Sequence, residues 1–359
     1  MVGGFLHWTE ADRLAPPFPA WAGAAERLRF LLRYAVRAPS RHNAQPWLFD
    51  IEGHELRVHV DPRRTLKIAD PHGREAVIAC GAAIENVRLA AAHFGHVAEV
   101  QPCDPDGDGA VAVVRLVGRR PPTQGEEELF RAIPLRRSAI ALSPRPVPVE
   151  ELAKLAAEVS GQGMFRGVPR WLARPVAELV AEADAEQWSS ARFRSELAAW
   201  SRRPGRRLEG IAPERAHGAT RPAVLLRRLL HGGRESRAGL DARVDQRTRS
   251  MLVLSTRDDA PREWLAAGCA MQRLLLRAAT VGLGVAFLSP PIEVPDVRRR
   301  LRRELGDPGM PQLLLRVGYG PRPRATPRRP LGLVLRTFAR EISVEVGVDE
   351  TDAPRARPA

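Results

Sequence analysis

The sequence predicts an α+β protein in which one structural plan occurs twice within the chain. Three observations carry this expectation. Residues 48–51 and 56–60 are short, largely apolar runs separated by Glu52-Gly53-His54, the pattern of a strand–turn–strand hairpin. Residues 74–94 and 261–280 are long helical runs, apolar over much of their circumference, which marks helices buried on more than one face. Finally, Gly81-Ala82-Ala83-Ile84 can be laid over Gly268-Cys269-Ala270-Met271, and each leading glycine is followed fourteen residues later by another, Gly95 and Gly282. A glycine inside a helix costs about 1 kcal/mol relative to alanine, so Gly81 and Gly268 point to close helix packing, against the competing reading of a chance overlay of alanine-rich helices.

Taken in order, residues 25–38 form a helix with Leu28, Leu31, Leu32 and Ala35 at three-to-four spacing. It leads into a proline-bracketed loop, then the hairpin, the first long helix and a strand at 110–117. The second half offers strands at 251–255, 284–288 and 312–318 around the second long helix. The expected organisation is an N-terminal extension (1–24), a first half (25–130), a second half (131–335) and a loose C-terminal tail (336–359). Within the second half, residues 202–245 are rich in Arg, Gly and Pro, with a short apolar helix at 224–230. This stretch reads as a lid-like insertion or as a solvated surface excursion.

A chain of 359 residues suits one large domain or two fused units. With 44% hydrophobic and 27% charged residues it has the composition of a soluble globular protein. No apolar run approaches the roughly 20 residues that span a bilayer. The N-terminus lacks a basic start followed by an apolar segment, so the expected location is the cytoplasm, with no membrane partner. A net charge of +14 invites a nucleic-acid reading. Yet the lysines are Lys67 and Lys154 alone, arginine is spread through almost every segment, and no nucleic-acid module is recognisable. Cys80, Cys103 and Cys269 form neither a zinc pair nor a disulfide framework, and no metal set is expected. Cys80 and Cys269 sit in apolar helical runs as small core residues. There is no Ser-His-Asp order, Gly-x-Ser-x-Gly, His-Glu-x-x-His or Walker loop, so no side chain is assigned a catalytic role.

Three stretches carry chemistry instead. In Ala38-Pro39-Ser40-Arg41-His42-Asn43-Ala44-Gln45-Pro46-Trp47 the two prolines restrain the backbone, while Ser40, Asn43 and Gln45 offer donors and acceptors that suit a planar heterocycle. An ordinary capped loop with Trp47 in the core fits the same composition. In Leu135-Arg136-Arg137-Ser138-Ala139-Ile140 two guanidinium groups and a hydroxyl suit a phosphate. Arg328-Arg329-Pro330-Leu331 follows a strand and turn, and reads as a further cationic contribution or as a solvated basic tail.

Together these motifs resemble the nitroreductase superfamily. The first resembles its flavin-contacting loop, and Arg136-Arg137-Ser138 resembles the motif that opens a protomer. Arg329, with Arg328 beside it, matches the distal basic residue that reaches the FMN phosphate, and Leu288-Ser289 resembles the segment beside the flavin ring. Ser195-Glu196-Leu197-Ala198-Ala199-Trp200 is similar to the Acg-like branch, in which a lid lies over the flavin. The resemblance covers roughly 25–331 and implies a nitroreductase-like fold of mixed, mainly antiparallel sheets flanked by helices. It implies FMN held by Pro39, Ser40, Arg41, Asn43, Gln45, Arg136, Arg137, Ser138, Leu288, Ser289, Arg328 and Arg329. Because the loop occurs once and the Arg-Arg-Ser motif once, a fused pseudo-dimer acting as a monomer makes a single flavin site. NAD(P)H would be the reductant, with a nitroaromatic or quinone-like acceptor. Ile140 departs from the pattern, since catalytic members carry Arg or Lys two residues beyond the serine to favour reduced flavin. That departure supports the alternative, a non-turnover FMN-binding or storage protein with an occluded flavin site.

Overall fold

Two four-stranded antiparallel sheets with the same strand order are set on either side of a pair of long helices. The computed structural model describes residues 17–103, 109–139, 142–143, 145–158, 164–201, 208–211, 250–306 and 309–336. The expectations at 1–16, Ile140, 224–230 and most of 202–245 therefore lie outside the described residues. The first half comprises α1 (Ala24–Ala35), β1 (Trp47–Glu52), β2 (Glu55–Val60), α2 (Arg74–His93), β3 (His96–Pro102), β4 (Ala110–Arg119) and α3 (Gln124–Ala132). After it come α4 (Val149–Glu158), β5 (Met164–Gly167), α5 (Ala173–Ser189), α6 (Ala191–Ala199), β6 (Met251–Thr256) and α7 (Pro261–Thr280). The described chain ends through β7 (Gly284–Phe287), α8 (Pro290–Glu293), α9 (Pro295–Glu304) and β8 (Met310–Gly318).

The sheets run β1-β2-β4-β3 and β5-β6-β8-β7, so replacing β1 to β4 by β5 to β8 reproduces the order. Helix α7 follows β6 as α2 follows β2. The halves differ in their connections. β1 and β2 close through a tight hairpin whose last pair is Glu52↔Glu55, with Gly53 at φ 58° as the turn requires. Between β5 and β6 the chain instead builds α5 and α6, and between β7 and β8 it builds α8 and α9.

The glycine register read from sequence is physical. A Cβ on Gly81 would lie 2.2 Å from the Leu265 carbonyl oxygen, and one on Gly268 would lie 2.1 Å from that of Ile78. Each glycine thus meets the carbonyl three residues before the other, as a two-fold relation demands. Further along the same faces, Gln272 Nε2 donates to Asn86 Oδ1 at 2.7 Å and Arg273 Nη1 pairs with Glu85 at 2.9 Å. The helices therefore run side by side in the same direction. Gly95 and Gly282, at φ 77° and 72°, end them in the left-handed conformation.

One apolar core joins both sheets to this helix pair, with Trp47, Phe49, Ile84, Leu276 and Leu315 among its buried members. Trp47 is wholly buried, so the indole that ends the polar loop is a core residue. A smaller core lies under α5, α8 and α9 around Val176, Val253 and Leu301. The chain beyond β8 then crosses to the other half. Phe49 N donates to Val334 O and Arg336 N to Phe49 O, both at 2.7 Å, which lays Leu335 parallel to the edge strand β1.

Substituting Gly268→Ala places a methyl group against a backbone oxygen that cannot move without separating the two helices. The expected loss is roughly 1–3 kcal/mol, where an open helical glycine would gain from the same change. Urea denaturation measures it, and an alanine variant at least as stable as the parent would refute the contact.

Candidate functional site

The polar loop after α1 is a wound, rigid segment. Ser40 precedes a single 3₁₀ turn at Arg41–Asn43, and its Oγ accepts from Gln45 N at 2.9 Å. His42, Asn43 and Gln45 hold φ at 50°, 54° and 54°, the only non-glycine residues at positive φ among the described residues. Each left-handed residue costs roughly 1 kcal/mol or more, so three in four positions need outside support. Side-chain bonds across the junction of the halves supply it. Asn43 Nδ2 donates to Leu208 O at 3.3 Å and Pro327 O at 3.2 Å, and its Oδ1 accepts from Arg328 Nη1 at 3.0 Å. Buried Gln45 donates through Nε2 to Leu208 O at 2.9 Å and accepts from Arg329 N at 2.8 Å.

The two basic motifs converge beside this loop. Arg136 Nη2 and Arg328 Nη2 donate to the same carbonyl, Arg37 O, at 3.4 and 3.3 Å, and Arg328 also reaches Ala38 O at 3.0 Å. Ser138 Oγ lies 3.5 Å from Arg136 Nη1, and Ser138 pairs with Val285 at the edge of the second sheet. Arg137 turns back onto the carbonyls of Pro134 and Arg136, at 2.9 and 2.7 Å, beyond the C-terminal end of α3. Arg329 is buried and gives one Nη2 bond to Leu333 O, while its Nε and Nη1 have no hydrogen-bond partner. Burial and the nearby charge of Arg64 lower its pKa. Two guanidinium groups on one carbonyl, with a third buried and under-bonded close by in sequence, are a donor set that fits a phosphate.

Leu288 and Ser289 approach the loop indirectly. Leu288 N bonds Leu314 O at 2.8 Å, and Ser289 O accepts from Ile292 and Glu293 N at the start of α8. It is Glu293 that crosses over: its carboxylate pairs with Arg41 Nη2 at 2.8 Å and accepts from Gln187 Nε2 at 2.6 Å. Glu75 stands 3.7 Å from Arg41 Nε. Arg41 keeps its charge, because Glu293, Glu75 and Asp70 outweigh the lowering by burial. His42 is half-buried, and burial together with Arg41 lowers its pKa well below the usual imidazole value, which leaves it neutral.

A layer formed by α6 and residues 208–211 packs on residues 66–69 and touches the loop. Glu196 on α6 accepts from Ile68 N at 3.0 Å and Ala69 N at 2.9 Å, and Phe193 and Leu197 pack on Leu66 and Ala69 with Trp188 and Trp200. Ile211 N bonds Trp200 O at 2.8 Å, and Gly210 N reaches Asn43 O at 3.4 Å. Glu293 pairs with the loop's Arg41, and Glu196 clamps residues 68 and 69, neither having been singled out for this from sequence. Glu196 lay inside the Ser195–Trp200 run, and Glu293 only a turn beyond Ser289. Among the described residues no cluster of three metal-ligating side chains occurs, and no helix is long and apolar enough to cross a membrane.

The Nitroreductase family profile matches residues 135–319, beginning at Leu135 directly before Arg136-Arg137-Ser138. A Mycobacterium tuberculosis protein named "Putative NAD(P)H nitroreductase Rv3131" is 33% identical over 321 residues, 87% of this chain and 91% of the relative. "Putative NAD(P)H nitroreductase acg" from the same organism is 29% identical over 329 residues, covering 88% and 96%. The chain belongs to the nitroreductase family, on the Acg-like branch. Among solved structures, the FMN-dependent nitroreductase NfnB from Mycobacterium smegmatis in complex with NADPH is 18% identical, with a TM-score of 0.35 over 59% of this chain and 98% of that one.

Burial pushes the Glu293 carboxyl up to about 8, with Arg41 pulling it down and Glu75 pushing it up. Above the ordinary value of 4.5 the unfolded chain releases this proton, whereas the folded chain keeps it until about 8. The folded state therefore loses stability as pH rises through that window. Glu293→Gln keeps the hydrogen-bonding shape and removes the titration. Its denaturation midpoint should gain on the parent's steadily from about pH 5 to pH 8, and a pH-independent difference would show that Glu293 does not titrate there.

Proposed function

We propose that the chain binds one FMN where its two halves meet and works as an NAD(P)H-dependent oxidoreductase of nitroaromatic or quinone-like acceptors. The observation that carries this is the convergence of Arg136 and Arg328 on the Arg37 carbonyl, at the end of the loop that Asn43 and Gln45 lock to the same basic segment. Arg136, Ser138, Arg328 and Arg329 would hold the phosphate, with Arg137 supporting their turn. Pro39, Ser40, Arg41, Asn43 and Gln45 would line the ring from one side, and Leu288 and Ser289 from the other. Bound FMN supplies the hydride chemistry itself. The protein's share is to position the ring, exclude water and hold charge. One loop and one Arg-Arg-Ser motif per chain make one site, so the pseudo-dimer needs no second copy.

A second reading, a non-turnover FMN-binding or storage protein, rests on the lid-like layer. Leu208 O accepts from the very amides, Asn43 and Gln45, that line the loop, and the Glu196 clamp fixes the layer at its far side. A cover fastened at both places restricts access to the ring by nicotinamide and acceptor alike.

The absorbance spectrum of the purified protein, followed by anaerobic NADPH addition, separates these readings. Near one FMN per chain, bleached by NADPH, is the expected result. Flavin that stays oxidised selects storage, and no flavin after reconstitution removes both readings. Arg136→Ala should weaken FMN binding by roughly 1.5–3 kcal/mol, the scale of a charge-assisted hydrogen bond. An unchanged affinity in a fluorescence titration would take Arg136 out of the phosphate cradle.

A further inference from the structure

A cleft of about 1140 Å³ opens between the start of α2, the start of α7 and one face of α9. It adjoins the loop after α1 through Glu293, which stands in its wall and is the partner of Arg41. The stripe that α9 turns to the cleft is basic: Arg298, Arg299, Arg302 and Arg303 line it, at helical spacing, while Val297 and Leu301 face the core. The acids in the cleft are already engaged. Asp259 is held by Arg298 through two bonds of 2.7 and 3.0 Å, Asp70 accepts from Ala76 N at 3.0 Å, and Glu293 serves Arg41. Arg299 reaches Asp296 on its own helix, and Arg303 makes no ion pair among the described residues. More arginines than acids line the cleft.

Facing it is an aromatic ring held in place. Trp264, half-buried at the start of α7, donates through Nε1 to Asp259 Oδ1 at 2.6 Å. Asp259 is in turn fixed by Arg298 and by Gln312 Nε2 at 3.1 Å, bonds that hold its carboxylate ionised with a pKa of about 2 against the opposing effect of burial. The indole thus has its polar edge satisfied and its position set before any ligand arrives. A fixed aromatic face suits stacking by a heterocyclic base, and arginines suit phosphate oxygens. The volume exceeds the roughly 300–1,000 Å³ that encloses an ordinary small ligand.

The geometry points to this cleft as a binding site for a nucleoside diphosphate group, its phosphates on Arg299, Arg302 and Arg303 and its base on Trp264. The group can arrive as a free nucleotide or as the adenosine end of a dinucleotide. The second source rests on the flavin reading above, and the first does not.

ADP is the probe, titrated by calorimetry into the whole purified chain with its flavin content recorded separately. Saturable binding is expected, weakened at least tenfold by Arg302→Glu with Arg303→Glu, while the melting temperature and flavin content stay unchanged. Trp264→Phe, which keeps a ring, should retain most of the affinity. Inorganic pyrophosphate should bind more weakly than ADP. No binding at millimolar ADP, or binding indifferent to the two arginines, overturns the proposal. If the arginine variant also raises the KM for NADPH and leaves kcat alone, the dinucleotide is the source. ADP binding without that effect assigns the site to a free nucleotide. ADP binding by a chain that takes up no FMN would fail the flavin reading and leave this site standing.

Discussion

The contact between Gly81 and Gly268 is the constraint on which the rest of the molecule depends. Carbonyl oxygens of Leu265 and Ile78 occupy the space where Cβ atoms would stand, so the two long helices touch backbone to backbone. That closeness fixes their relative position in a way that interdigitated side chains alone would leave looser. Both sheets pack on this pair through one core, and their common strand order follows from a single plan laid down twice. The polar pairs Gln272–Asn86 and Arg273–Glu85 then set the register along the helices, because a slip would leave them buried without partners.

With the halves fixed, segments distant in sequence can share one site. The strap from Pro327 to Arg336 is the clearest case, for it leaves the second half, binds Asn43 and Gln45 in the loop, and pairs with Phe49 at the edge of the first sheet. Its backbone bonds explain how the loop tolerates left-handed residues at 42, 43 and 45. Strain of that kind persists only where neighbours over-determine the conformation. The loop's amides therefore hold the strap that delivers Arg328 and Arg329 beside them.

Much of this was legible in the residues. The glycine spacing foretold the helix contact, and the second long helix spans the 261–280 expected of it. The hairpin, the first long helix and the strands at 110, 251 and 312 fell within a few residues of their positions. The first helix ends at Ala35, short of 38, because the chain must unwind ahead of Pro39. Strands β3 and β5 had no clear signal: β3 alternates weakly on an exposed edge, and β5 has four residues. The polar motifs could be found because arginine pairs and proline brackets are local patterns. Glu293 could not, since what makes it part of the site is Arg41, 252 positions away, and no local pattern records such a pairing. Trp47 is buried in the core, as one of the two readings of the loop placed it.

The charges around the site carry the last step. Arg41 is paired with Glu293 and Glu75, so the loop's own cation is committed to joining the halves. Arg136 and Arg328 instead bond to a neutral carbonyl, and Arg329 is left with two buried donors unfilled. Burying the under-bonded Arg329 guanidinium carries a desolvation cost. An anion bound to its open donors would offset that cost. The loop amides Asn43 and Gln45 are already bonded to the strap and to Leu208. The open donors therefore lie on Arg329, while the loop's amides are committed to holding the halves together.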